Sequence, residues 1–124
     1  MEDFNILGLI YDAAHNFIAT NRPNEIKLFE TFDPTKLPHD SFVSVYESGR
    51  ESGIMKHSDH VSFCTVVFCL QGTGGEKDLT LILESNDTFE VPLSASDLIV
   101  FGRIEHFVGF RSRSERRITI NAFF

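Results

Sequence analysis

The stretch GIMKHSDHVSFCTVVFCL, residues 53–70, joins two textures. Its first half carries His57, Asp59 and His60. Its second half, from Val61, is almost wholly apolar and rich in Val and Phe, the composition of a buried strand. Two imidazoles and a carboxylate at the entrance to a buried strand are costly unless something pairs with them. A metal ion is one such partner. A turn that leaves them in water is the alternative.

Working outward, short runs of the same kind follow one another from residue 41 to 124. They are SFVSVYE, GIMKHSD, VSFCTVVFCLQ, DLTLILES, DTFEVPL, SDLIVFG, HFVGFRS and RRITINAFF. SGRESG, GTGGEK, SND, SAS and SRSE separate them and read as turns. Eight short strands at this spacing predict a mainly β sandwich, barrel or jelly roll. GTGGEK lacks the Lys-Ser/Thr ending of a phosphate-binding loop and precedes a strand, so it reads as a hairpin turn.

Before residue 41 the period changes. Leu7, Ile10, Tyr11, Ala14, Phe17 and Ile18 recur at helical spacing, which predicts an amphipathic helix over 4–20 packed on one face of the sheet. His15 is expected on its surface. TNRPNE breaks the helix, IKLFETF reads as a short strand, and DPTKLPHD reads as a loop with His39 in solvent. The chain is expected to be a single domain, 1–124, with 1–40 as helix and loop support and 41–124 as the β core.

The bulk numbers exclude some functions. Eighteen acidic against eleven basic residues give a net charge of −7, which argues against a general grip on nucleic-acid backbones. Arg111, Arg113, Arg116 and Arg117 do cluster, and are expected to form a solvated turn, Arg117 excepted. Cys64 and Cys69 lie five apart on a predicted strand and so face opposite ways, which makes a disulfide between them implausible. The expected setting is therefore intracellular, most simply cytoplasmic. The opening residues do not read as a signal peptide, and no apolar run is long enough to span a bilayer.

Alternation along an extended segment puts His57 and Asp59 on one side. His106, between apolar neighbours in GRIEHFVGF, is the candidate third ligand. Two histidines and one carboxylate suit non-haem Fe(II), with open positions left for substrate and oxygen; zinc accepts the same set. His60 points the other way from Asp59 and is assigned a supporting or surface role. On the last strand Arg117, Thr119, Asn121 and Phe123 share one face, and Ile118, Ile120, Ala122 and Phe124 the other. The apolar face suits the leading helix. The polar face would look inward, where a guanidinium needs an anion and its fork fits a carboxylate.

These segments, in this order, resemble the Fe(II)/2-oxoglutarate-dependent dioxygenases. MKHSDHVSFCTVVFCLQ looks like the His-x-Asp segment and the strand after it. FVSVYESGRESGIMKHSD is similar to the Tyr-x-x-Gly approach of prolyl hydroxylases, and GGEKDLTL to their Gly-Gly-x-Leu stretch. VPLSASDLIVFGRIEHFV resembles the lead-in to the distal histidine, with Ser96 where the family usually has Gly. RRITINAFF resembles the closing strand. The resemblance covers residues 41 to 124 and implies a double-stranded β-helix, that is, a jelly roll. It implies Fe(II) on His57, Asp59 and His106, and 2-oxoglutarate held by Arg117 with Thr119 beside it. Arg116 is the rival in the opposite register. Tyr46, Thr65, Cys69 and Asn121 are expected around the same pocket, with Phe123. Cys69 falls near where prolyl hydroxylases carry a tyrosine that touches 2-oxoglutarate.

The implied chemistry uses O2 and hydroxylates or demethylates a small-molecule or peptide substrate, with release of succinate and CO2. Halogenating relatives replace the carboxylate, so Asp59 favours hydroxylation. Three other readings compete: a non-catalytic jelly-roll module that binds metal or ligand, a nucleic-acid demethylase of the alkylation-repair type, and a zinc hydrolase. A sheet face with little helical cover further predicts a homo-oligomer.

Overall fold

The computed structural model describes residues 5–73, 79–113 and 115–124. Helix α1 spans Ile6–Asn21; the side chain of Asn5 caps its start by accepting from the Gly8 amide at 2.9 Å. Ile10, Ala14 and Ile18, spaced by one turn, are its buried residues. His15 is half-buried rather than on the open surface, stacked with Tyr11 and 3.5 Å from the Glu30 carboxylate.

The segment expected as a strand is a second helix, α2, Ile26–Phe29, entered through a 3₁₀ turn at Pro23–Glu25. Pro23 pre-sets the helical φ at that turn. Ile26, Phe29 and Phe32 then recur at intervals of three, and all three pack inward, while Leu28 is 62% exposed. A strand would have put Leu28 and Ile26 on one face and Phe29 on the other. Phe29 is fully buried, its ring 5.4–5.5 Å from those of Tyr11, Phe32, Phe63 and Phe124.

Among the described residues eight strands follow: β1 Phe42–Tyr46, β2 Glu51–His57, β3 Thr65–Gln71, β4 Leu79–Ile82, β5 Thr88–Val91, β6 Leu98–Phe101, β7 Glu105–Ser112 and β8 Arg117–Phe123. They form two antiparallel four-stranded sheets, ordered β1-β8-β3-β6 and β2-β7-β4-β5. Consecutive strands alternate between the sheets almost throughout, which is the winding of a jelly roll. Because β3 and β4 lie in different sheets, the Gly-rich stretch between them joins sheets and does not close the hairpin expected of it. Its residues 74–78 lie outside the described residues.

Alternation splits the core in two. Val66 and Phe68 of β3, with Ile120 and Ala122 of β8, are buried in one cluster with Ile10, Ala14, Ile18 and Phe29. Tyr46, Val67, Cys69 and Phe101 of the first sheet meet Leu79, Leu81, Val91 and Val108 of the second. The two cysteines follow the same division: Cys64 joins the helical side, Cys69 the inter-sheet side, and both are free and fully buried.

Burial pushes the Cys64 thiol up to about 12 from an ordinary 9.0. Between those values the unfolded chain has lost a proton that the folded chain keeps, so stability falls as pH rises. The expected loss is about 1.4 kcal/mol per pH unit from this group. Denaturant midpoints at pH 8 and pH 10 check it: Cys64→Ala should flatten the decline, and an unchanged slope would refute the assignment.

Ser96, where the resembled family has glycine, sits at φ 75° in the turn Ser94–Asp97 before β6. The left-handed conformation is strained for a residue with a Cβ. Its amide is anchored to the Cys69 carbonyl at 2.8 Å and the Asp97 carboxylate accepts from the Ser94 amide, so the turn holds despite the strain. Ser96→Gly is expected to stabilise the fold by about 0.5–1 kcal/mol, strain relief less the added chain entropy. Thermal unfolding reads this directly.

Candidate metal centre

Strands β2 and β7 pair with His57 opposite His106. The pairing slips between Ile54 and His57, where β2 spends three residues against two of β7. Such a bulge re-aims side chains. Here it lets Ile54 and His57, three apart, line the same cavity. Strict alternation would have sent one of them outside. The alternation argument for Asp59 also fails in detail: β2 ends at His57, and Asp59 enters from the loop after it. The two side chains meet nonetheless.

Asp59 Oδ1 lies 3.2 Å from His57 Nε2, and Oδ2 lies 3.4 Å from His106 Nε2. One ligand atom from each of the three lies within 4.8 Å of the others. The outer nitrogens are committed. His57 Nδ1 is 2.7 Å from the Met55 carbonyl, and His106 Nδ1 is 2.9 Å from the Ile104 carbonyl. Each carbonyl can only accept, so each Nδ1 donates, and in the form that ligates a metal each ring turns the lone pair of Nε2 toward Asp59. Lone pairs from two imidazoles and a carboxylate thus converge on one spot, an arrangement that a cation relieves. Two atoms held at right angles on one ion at about 2.1 Å stand about 3 Å apart, close to the 3.2 and 3.4 Å between Asp59 and the two imidazoles. The triad can therefore hold a metal, and its donor set fits iron or zinc.

Thr65, 1% exposed on β3, donates its hydroxyl to Asp59 Oδ2 at 2.9 Å. Sequence reading placed Thr65 at the pocket but missed this bond. Partners of this kind orient metal ligands. Thr65→Val should weaken divalent-metal binding at least 10-fold. Competition against a chromophoric chelator measures it, and unchanged affinity would remove the orienting role.

The triad lines a narrow cavity of about 50 Å³ between the sheets, partly open to solvent. Arg117, Thr119, Asn121 and Phe123 form its β8 wall, with Tyr46 and Phe42 from β1 and Thr65 and Val67 from β3. Leu79, Leu93 and Val108 close the apolar side, none of them anticipated. Tyr46 pairs with Arg117 in the β1–β8 register; Arg117 is turned inward at 5% exposure, and its Nη2 donates to the Leu93 carbonyl at 3.2 Å. Arg116 points out and pairs with Glu47 at 3.3 Å. Thr119 Oγ1 accepts from Asn121 Nδ2 at 3.4 Å, which leaves the hydroxyl proton for the cavity.

Cys69 is corrected: it does not line the cavity. Its thiol is sealed against the Gln71 and Leu93 carbonyls, and a Cβ on Gly72 would stand 3.1 Å from it. Burial raises its pKa, against a lowering by Arg117. Arg113 is the second correction. It is 2% exposed, donates to the Ser52 and Gly109 carbonyls, and stacks over Tyr46 at 5.2 Å, so it belongs to no solvated turn. The Arg111 side chain lies outside what the structure describes. His60 is exposed, as is His39.

No family model matches the chain, and no curated protein matches its sequence. Among solved structures, the chain is similar to a prolyl-4-hydroxylase from Pseudomonas putida, with a TM-score of 0.57 at 13% identity over 98% of this chain and 93% of that one. A cupin-2 domain containing protein from Shewanella frigidimarina matches at a TM-score of 0.42 and 15% identity, over 84% of this chain and 95% of the other. The first likeness bears on the fold alone. The fold is a jelly roll. Among the described residues no helix is long and apolar enough to cross a membrane.

Proposed function

We propose that the protein is an Fe(II)/2-oxoglutarate-dependent oxygenase. The observation that carries this reading is that a two-histidine, one-carboxylate triad and an inward arginine line one cavity. His57, Asp59 and His106 would hold the iron. Arg117 would take the far carboxylate of the keto acid in a charge-assisted fork, and the Thr119 hydroxyl would donate beside it. Leu79, Leu93 and Val108 would keep water from the carbon chain between. Bound there, iron supplies O2 activation coupled to decarboxylation of the keto acid, giving succinate, CO2 and a hydroxylated or demethylated product.

Anaerobic absorption spectroscopy tests this. Fe(II) followed by 2-oxoglutarate should give the visible charge-transfer band of a chelated keto acid. Metal bound without a band would overturn the reading in favour of a zinc hydrolase or a binding module. A band without succinate release under O2, across a substrate panel, would favour the binding module.

A further inference from the structure

We propose that the second substrate is an uncharged, largely apolar molecule with a flat or aromatic group, gripped at the cavity mouth by Phe42 and Phe123; this rests on the oxygenase reading. The β8 wall changes character along its length. Arg117 and Thr119 are each 5% exposed, Asn121 and Phe123 are half-buried, and Phe42 across the β1–β8 ladder is 47% exposed. The open end is therefore the phenylalanine end. It is also the metal end: Thr65, which holds Asp59, pairs with Phe123 in the β3–β8 register. A molecule entering past Phe42 and Phe123 meets the triad before it meets Arg117.

The two rings lie 5.5 Å apart, tilted by 52°. They are an aromatic pair left partly in water, and covering it with apolar surface is favourable. Charge points the same way. Among the described lining residues, the acidic and basic side chains are His57, Asp59, His106 and Arg117. With three given to a cation and Arg117 to the keto acid, none is left to neutralise a charge on a second ligand. A charged group buried there would be stripped of water without a partner.

The test uses two fluorescent probes with one skeleton: neutral N-phenyl-1-naphthylamine, and 1-anilinonaphthalene-8-sulfonate, which adds an anion. Both are titrated into the full chain loaded with Zn(II) and saturating 2-oxoglutarate, so that Arg117 is occupied. The neutral probe should bind at least 10-fold more tightly. Phe42→Ala should weaken it about 10-fold, and Phe42→Tyr, which keeps the ring, should stay within twofold. Phe42 is half exposed, so its truncation leaves the core intact. Equal or tighter binding of the sulfonate, or indifference to both Phe42→Ala and Phe123→Ala, would overturn the inference. The Fe(II) keto-acid band is recorded on the same protein. A band without discrimination sinks this inference alone; discrimination without a band sinks the oxygenase reading and leaves an apolar-ligand site.

Discussion

Asp59→Ala should abolish metal binding at micromolar Fe(II), a loss of at least about 100-fold in affinity. The floor follows from what residues that hydrogen-bond to a metal ligand cost when removed, roughly 10- to 100-fold, since Asp59 is itself the ligand. It is also the one anionic member of the triad. Without it a divalent ion would sit between two neutral imidazoles in a site that is 11% exposed at Asp59 and 9% at His106, with no opposite charge to offset its desolvation. Asp59→Asn separates charge from packing. It keeps the volume and an acceptor for the Thr65 hydroxyl, so the fold should be unperturbed while metal binding falls with that of the alanine variant. Anaerobic titration with Fe(II), beside circular dichroism of each variant, provides both readouts. Metal affinity within threefold of the parent in Asp59→Ala would show that the triad is not the metal centre.

The strands were legible because each is a short run rich in β-branched and aromatic residues punctuated by turn residues, and β3 reads as a near-continuous apolar run because both of its faces are covered. The split of β8 into an inward Arg117 face and an outward Ile118 face follows from period two alone, and the Tyr46 to Arg117 register agrees with it. What could not be read has a common cause: it depends on a local departure from the period. The β2 bulge puts Ile54 and His57 on one side. The end of β2 at His57 hands Asp59 to a loop. The seven residues from Ile26 are too few to separate the two periods, and the turn at Pro23 that starts the helix lies before them. Arg113 fails differently. A run of arginines reads as solvated, and only the tertiary fold reveals the carbonyls of Ser52 and Gly109 and the ring of Tyr46 waiting for its guanidinium. Spacing likewise proposed Cys69 for the cavity; the close approach of Gly72 seals it away.

Adjacent arginines make the second large prediction self-controlled. Arg117→Met should weaken 2-oxoglutarate binding to the Fe(II)-loaded protein about 100-fold, equivalent to about 2.7 kcal/mol. Losing one partner of a buried charge-assisted pair typically costs 2–5 kcal/mol, and the remaining carboxylate would lie among Leu79, Leu93 and Val67. Methionine keeps much of the bulk and stem packing beside Cys69, which guards against loss of fold. Arg117→Lys should recover part of the affinity, since it restores the charge but not the planar fork. Arg116→Ala should change affinity by no more than twofold, because that side chain is half exposed and its bond to Glu47 is a surface pair worth under about 1 kcal/mol. The measurement is the keto-acid band as a function of 2-oxoglutarate concentration, with Fe(II) affinity determined separately and expected to be unchanged in all three variants. Loss of metal affinity in Arg117→Met would mean that the site had collapsed rather than lost its anion partner. Equal effects at 116 and 117 would mean that the guanidinium turned into the cavity does not hold the keto acid, and the β1–β8 register would then place Arg117 there for packing alone.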